Sequence, residues 1–276
     1  MSAPLLAVDG DSFAHRAYHA LPKSIRLNAV VGFTNMLIRL WEMEEPRSVL
    51  VGWDSIGSPT YRNELFADYQ GGREFDDSLL HQLDLLPQLV EALGFVAAKA
   101  AGYEADDFLA AAVAGEENRG GTCVVASGDR DAYQLASERT MILFPTRGVS
   151  EIARIGPAEV RDRYGVEPEQ VPDFIALRGD PSDKLPGARG VGPKTAADIL
   201  RQYGSLETAL EAGRFAAEAE ALRVYRRIAS MDATAPIPDD VPDAQPDWAA
   251  AADVADEWKL AQLGGRLRQR ATGDAS

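Results

Sequence analysis

Three short apolar runs, each leading into an aspartate, constrain the fold of this chain more than any other feature. Leu5-Leu-Ala-Val8 ends at Asp9, Ser48-Val-Leu-Val-Gly-Trp53 ends at Asp54, and Thr122-Cys-Val-Val-Ala126 is followed by Asp129. Runs of this length without polar alternation read as strands buried on both faces, the kind that parallel sheets use. Arg139 to Phe144 reads as a further strand, and Gly94-Phe-Val-Ala-Ala98 as a weaker one. Between them, Val30 to Trp41, Leu79 to Leu93 and residues 104–115 carry apolar side chains at helical spacing. Pro87 is expected to kink the second of these helices or to start a new segment. Strands alternating with helices predict an α/β fold of βαβ units, with a mostly parallel central sheet flanked by helices. In such sheets ligands collect outside the carboxyl ends of the strands, which is where Asp9, Asp54 and Asp129 stand.

More acids gather in tight groups: Glu104, Asp106 and Asp107 at a helix start, Asp131 beside Asp129, and Asp180 with Asp183 in Asp-Pro-Ser-Asp. Any one of them alone reads as a cap or a turn residue. Gathered in one cleft, so many like charges could not all stay ionised without cations. Hard oxygen donors, with one Cys and three His in the whole chain, favour magnesium or manganese over zinc. The leading reading is a metal-dependent phosphodiester hydrolase. Cys123 falls in a strand and can form no internal disulfide, so a reducing cytoplasm is the simplest compartment. No apolar run reaches the length of a membrane span, and the N-terminus lacks a basic signal region. A net charge of -15 argues against a broadly basic nucleic-acid face. Part of that excess is the acid set itself, and much of the rest lies between Pro238 and Glu257.

A second region starts near Gly156-Pro157, giving a division at residues 1–156 and 157–265, with 266–276 as a flexible tail. Helices are expected at 158–164, 169–178, 211–227 and 249–263, and a loop at 236–247. Within this region Pro186-Gly-Ala-Arg-Gly-Val-Gly-Pro-Lys-Thr-Ala-Ala197 is a glycine-rich turn opening a helix. Gly190 and Gly192 permit tight backbone geometry, Pro193 suits a first helical turn, and Lys194 stands beside exposed N–H groups. This can hold a nucleic-acid phosphate without reading bases, or it is simply a turn between two helices. It is no P-loop.

These motifs together resemble the bacterial 5′ nuclease, or flap endonuclease, family, found at the N-terminus of DNA polymerase I and in stand-alone relatives. The matching blocks are Val8-Asp-Gly10, Arg16-Ala-Tyr-His-Ala-Leu-Pro22, Tyr61-Arg-Asn-Glu-Leu-Phe66, Gly102-Tyr-Glu-Ala-Asp-Asp107, Ser127-Gly-Asp-Arg-Asp131 and Gly179-Asp-Pro-Ser-Asp183. Leu185-Pro-Gly187 and Gly190-Val-Gly-Pro-Lys-Thr-Ala196 complete the series. With no polymerase region following, the resemblance is to a stand-alone member. It implies a PIN-like domain followed by a helix–three-turn–helix, or helix–hairpin–helix-like, DNA-binding region. It places Asp9, Asp54, Glu104, Asp106, Asp107, Asp129, Asp131, Asp180 and Asp183 in a cluster for two or more Mg²⁺ or Mn²⁺ ions. Asp11 is an additional acid that could hold another cation or water. Gly187, Gly190, Val191 and Gly192 resemble a potassium-assisted turn for the DNA backbone, with Lys184, Arg189, Lys194 and Thr195 as further DNA contacts.

The same resemblance makes segment 68–86 an arch for a 5′ single strand, with Arg16 and Arg73 on the scissile phosphate and Tyr69 either stacking on a base or packing the arch. Two departures stand out. Gln70 occupies the arch position where the family has lysine, and Lys184 replaces the usual Asn. The implied partner is DNA with a 5′ flap or 5′ end, including RNA–DNA primer junctions, in replication and repair. The chain is expected to act as a monomer away from membranes. The alternatives are a weakly active structure-specific DNA-binding protein and a PIN-type ribonuclease.

Overall fold

The computed structural model describes residues 3–72, 75–147 and 151–273. The chain opens with β1 (Leu5–Asp9) and α1 (Gly10–Ala20), then α2 (Asn28–Glu44), β2 (Ser48–Gly52), α3 (Tyr61–Leu65) and α4 (Asp77–Ala92). It continues through β3 (Val96–Ala98), α5 (Ala105–Asn118), β4 (Cys123–Ala126), β5 (Thr140–Arg147) and β6 (Glu151–Ile155). Helices then follow one another: α6 (Pro157–Tyr164), α7 (Val171–Arg178), α8 (Pro193–Tyr203), α9 (Leu206–Glu211), α10 (Ala219–Ala229), α11 (Trp248–Glu257) and α12 (Ala261–Ala271).

The strands form one sheet in the order β3-β2-β1-β4-β5-β6. All pairs are parallel except β5 with β6, so the expected parallel sheet carries one antiparallel edge strand that the sequence did not announce. The chain leaves β1 in one direction toward β2 and β3 and returns on the other side as β4 and β5. A crevice opens where those directions diverge, between the carboxyl ends of β1 and β4.

Alternation along the buried strands builds two cores. Leu5, Ala7, Leu50, Val125 and Ile142 face one layer, formed by α5 and by α6 to α10. Leu6, Val8, Val49, Val51 and Val124 face the other, formed by α1, α2, α4, α11 and α12. The region expected as one C-terminal unit therefore divides. Its first part covers one sheet face, and its end wraps back across the other, tied on by Ala244 N–H to Arg47 O at 2.9 Å and Asp247 N–H to Leu93 O at 3.0 Å.

Three local expectations are corrected. Residues 266–271 are helical, not a frayed tail: Leu267 is fully buried, and Arg268 and Arg270 pair with Asp256 and Glu42. The helix expected over 211–227 is two helices, α9 ending at Glu211 and α10 starting at Ala219. Pro87 sits inside a continuous α4 and ends nothing. Among the described residues no helix is long and apolar enough to cross a membrane.

Candidate active site

Asp9 is the last residue of β1 and also the N-cap of α1: one carboxylate oxygen accepts the Ser12 N–H at 2.9 Å and the other the Ser127 hydroxyl at 2.7 Å. Asp11, in the first turn of α1, accepts the Asp54 N–H at 2.7 Å, and Asp54 in turn accepts the Ala105 N–H at 2.8 Å. Each acid is thus aimed by a backbone amide from a neighbouring element, which fixes its direction at little entropic cost. Glu104, the N-cap of α5, holds Thr60 and Tyr69 hydroxyls, both at 3.0 Å. Asp129 N–H donates to the Ser127 hydroxyl, and the Asp129 carboxylate accepts the Asp131 N–H. Asp180 is held by the Ser182 N–H at 2.8 Å, by its hydroxyl, and by Arg178 at 3.1 Å.

These elements enclose a cavity of about 870 Å³ at the carboxyl edge of the sheet. Nine of the ten predicted acids line it: Asp9, Asp11, Asp54, Glu104, Asp106, Asp129, Asp131, Asp180 and Asp183. Asp107 does not. Fully buried, it is spent on a two-pronged ion pair with Arg62, both contacts 2.8 Å, and on the N–H groups of Glu104 and Asp232. Its carboxylate therefore lies outside the group of acids that the cavity brings together. The reason is helix phase: from Glu104, the side chain three positions on turns under the first turn of α5 to complete its cap.

Crowding and burial act on the lining acids. Burial, with Asp54 and Asp129 nearby, pushes the Asp9 carboxyl up to about 7. Asp11, Glu104, Asp106 and Asp131 are also raised, burial being the largest cause in each. Their neighbours sort into two lobes. Asp9, Asp11, Glu104 and Asp106 each feel Asp54, whereas Asp131 feels Asp129, Asp183 and Asp180. Asp9, facing both Asp54 and Asp129, joins them.

Among the described residues, no three acids close on one point as a preformed metal cage. The donor chemistry nevertheless fits hard divalent cations, because buried carboxylates that resist ionisation are what such ions relieve. Asp9, Asp54, Glu104 and Asp106 would serve one lobe, and Asp129, Asp131, Asp180 and Asp183 the other.

The predicted catalytic groups fall out unevenly. Tyr69 is buried with its hydroxyl on Glu104, so base stacking is replaced by carboxylate positioning. Gln70 donates to that same hydroxyl at 2.8 Å and to Asp183 at 3.1 Å. Arg73 lies outside the described residues. Arg16 is half-buried beside Gly128 and does not line the cavity; its Nε has no hydrogen-bond partner among the described residues. The cations that do line it are Lys23, Arg62, Arg130 and Arg178, which the motif reading did not single out. Arg130 and Arg178 adjoin predicted acids in sequence, and Arg62 lies in one of the matching blocks.

Beyond the cavity, Gly187 and Gly190 take left-handed backbone conformations, φ 73° and 76°. A Cβ at Gly187 would lie 2.4 Å from the Gly179 nitrogen, so the glycine-rich turn rests directly on the segment entering Asp180. Arg189, Gly190, Gly192, Lys194 and Thr195 are exposed, Val191 is half-buried, and Lys184 reaches back over Gly71 and Gly72.

Residues 4–165 match the 5′-3′ exonuclease N-terminal, resolvase-like domain, and residues 166–250 match the 5′-3′ exonuclease C-terminal SAM fold. The chain belongs to the 5′-3′ exonuclease family. It is 44% identical over 211 residues to DNA polymerase I of Mycobacterium leprae, covering 74% of this chain and 23% of that one. To DNA polymerase I of Bacillus caldotenax it is 42% identical over 216 residues, covering 76% and 24%. The chain thus spans about a quarter of the length of these curated relatives. Among solved structures, the T5 D15 protein co-crystallised with metal ions aligns with TM-score 0.72 at 18% identity, covering 95% of this chain and 99% of that one. The catalytic core of Rad2 in complex with DNA substrate aligns with TM-score 0.58 at 15% identity, covering 96% and 93%. At these identities the likeness is one of fold, and it extends over both the sheet domain and the helical region of this 5′-3′ exonuclease family member.

Proposed function

We propose that this chain is a structure-specific 5′ nuclease, hydrolysing DNA phosphodiesters at 5′ flaps and free 5′ ends. The observation that carries the reading is the convergence of nine acids from five stretches of chain on one cavity at the sheet's carboxyl edge. Phosphate would be repelled from such a wall unless divalent ions stood between, which leaves a non-catalytic DNA-binding role without a reason for the acids.

Two Mg²⁺ or Mn²⁺ ions, when bound, supply activation of a water nucleophile and neutralisation of the departing 3′ oxygen. The chain's own contribution is orientation. Backbone amides hold Asp9, Asp11 and Asp54, hydroxyls hold Glu104, and Gln70 holds Asp183. Arg130 and Lys23 on the cavity wall face the approaching phosphate backbone. The glycine-rich turn, with Lys184, Arg189, Lys194 and Thr195, grips duplex backbone, and Gly187, Gly190, Val191 and Gly192 are the residues that would hold a potassium ion to offset phosphate charge there. The protein acts as a monomer on DNA, RNA–DNA primer junctions included, in flap processing during replication and repair. Relatives of this fold support the reading: one T5 structure is a flap endonuclease with DNA and metal ions, and another holds zinc.

The test is incubation with end-labelled 5′-flap DNA, and with the matched RNA, in Mg²⁺, Mn²⁺ or chelator. Metal-dependent release of the DNA flap is the expected result. DNA retarded but uncut would establish the binding protein, and preferential cutting of RNA the ribonuclease.

A further inference from the structure

Among the described residues, Arg62 is the cation buried within the acid wall at its Glu104–Asp106 end, with 1% of its surface exposed. Three of its five N–H groups are committed. Its two terminal nitrogens take both oxygens of Asp107 at 2.8 Å, and Nε donates to the Ile228 carbonyl at 3.0 Å. Asp107 is itself pinned by the N–H groups of Glu104 and Asp232, so the guanidinium cannot swing. What remains of its fork faces the cavity acids: Asp106 at 3.3 Å and Glu104 at 3.7 Å.

We propose that Arg62 is a positioning residue for the divalent-ion site, setting the directions of Glu104 and Asp106 from a fixed guanidinium that is anchored to the end of α10. The inference rests on the nuclease reading and deepens it. A planar fork held by Asp107 and a carbonyl can turn one terminal nitrogen toward Asp106 and the other toward Glu104 at once; a lysine ammonium in its place cannot. The charge also lets Glu104 and Asp106 stand side by side before any ion arrives. The ion then meets ligands already spread to receive it, which is how outer contacts tune metal affinity. Because Ile228 closes α10 and Asp232 follows it, the acid wall is joined through Arg62 and Asp107 to the helical region.

The test uses the full chain and two variants: Arg62→Lys, which keeps the charge and loses the fork, and Arg62→Met with Asp107→Asn, which removes the charge together with that of its fully buried partner. Three quantities are measured: Mn²⁺ binding by loss of the free-ion paramagnetic signal, flap-DNA affinity in chelator, and the Mg²⁺ concentration for half-maximal cleavage. The expected result for both variants is Mn²⁺ affinity down, and the Mg²⁺ requirement up, by about tenfold or more, with DNA affinity within about twofold of wild type. Wild-type Mn²⁺ affinity in both folded variants would overturn the proposal, as would a loss of rate that more metal does not recover. If the unaltered chain itself neither bound Mn²⁺ nor cut DNA, the nuclease reading would fail instead.

Discussion

Asp9 serves α1, Ser127 and the cavity with two oxygens, which is why a single substitution there should be felt chemically before it is felt structurally. Asp9→Ala and Asp129→Ala are expected to lower flap cleavage by more than about 100-fold, above the usual cost of losing an outer contact to a metal. DNA retention in chelator should stay near wild type, since neither acid is a donor to phosphate; near-normal cleavage in both would refute the assignment. Gln70 offers a finer measurement. Its amide nitrogen lies 3.1 Å from Asp183, so Gln70→Lys would place a second charge on the lobe where Arg178 already pairs with Asp180. Single-turnover rates should rise severalfold; an unchanged rate would make Gln70 a tether for Asp183 and nothing more. Asp9, Asp54 and Asp129 were legible in the sequence because they follow buried strands, and the other acids because they come in tight groups. Asp107 could not be told apart from Asp106 in the sequence, because adjacent positions on a helix start separate only when its phase is known. Arg62 was illegible because its anchor at Ile228 lies 166 residues away.

Among the elements, β1, β2, β4 and β5 and the helices α2, α4 and α5 follow from apolar pattern, which reports burial directly. What the pattern hid has common causes. α1 is short, starts at Gly10 and buries Asp11, so polar atoms stand where apolar ones are expected. β6 alternates weakly, with Glu151 and Arg154 exposed on an edge strand. α12 carries three arginines around one stripe, Leu263, Gly264 and Leu267, and looks polar until α11 is laid beside it. Leu267→Ala is therefore expected to destabilise the fold by about 2–5 kcal/mol, read as a fall in the denaturant midpoint. A frayed tail would show no change.

For the whole molecule, the crowded cavity predicts an unusual pH profile. Asp9 takes up its proton near pH 7 in the folded state and near 3.8 in the unfolded chain, and Asp11, Glu104, Asp106 and Asp131 shift the same way. Between these limits the native state binds more protons, so stability falls as pH rises. The metal-free protein should melt several degrees lower at about pH 7.5 than at about pH 5.5, and saturating Mn²⁺ should remove most of that difference. A profile flat in pH without metal would mean that the acids are already relieved by other means. Net charge of -15 is thus less a statement about partners than a load that the native state carries.

Gly187 and Gly179 touch backbone to backbone, with no side chain to act as a cushion. For a nuclease that grips duplex at one and cuts beside the other, that contact is a ruler of fixed length. In the proposed nuclease the number of nucleotides between grip and incision would be set by two bare peptide units, and Gly187→Ala is expected to blur the incision register, read as a spread of product lengths from a labelled flap.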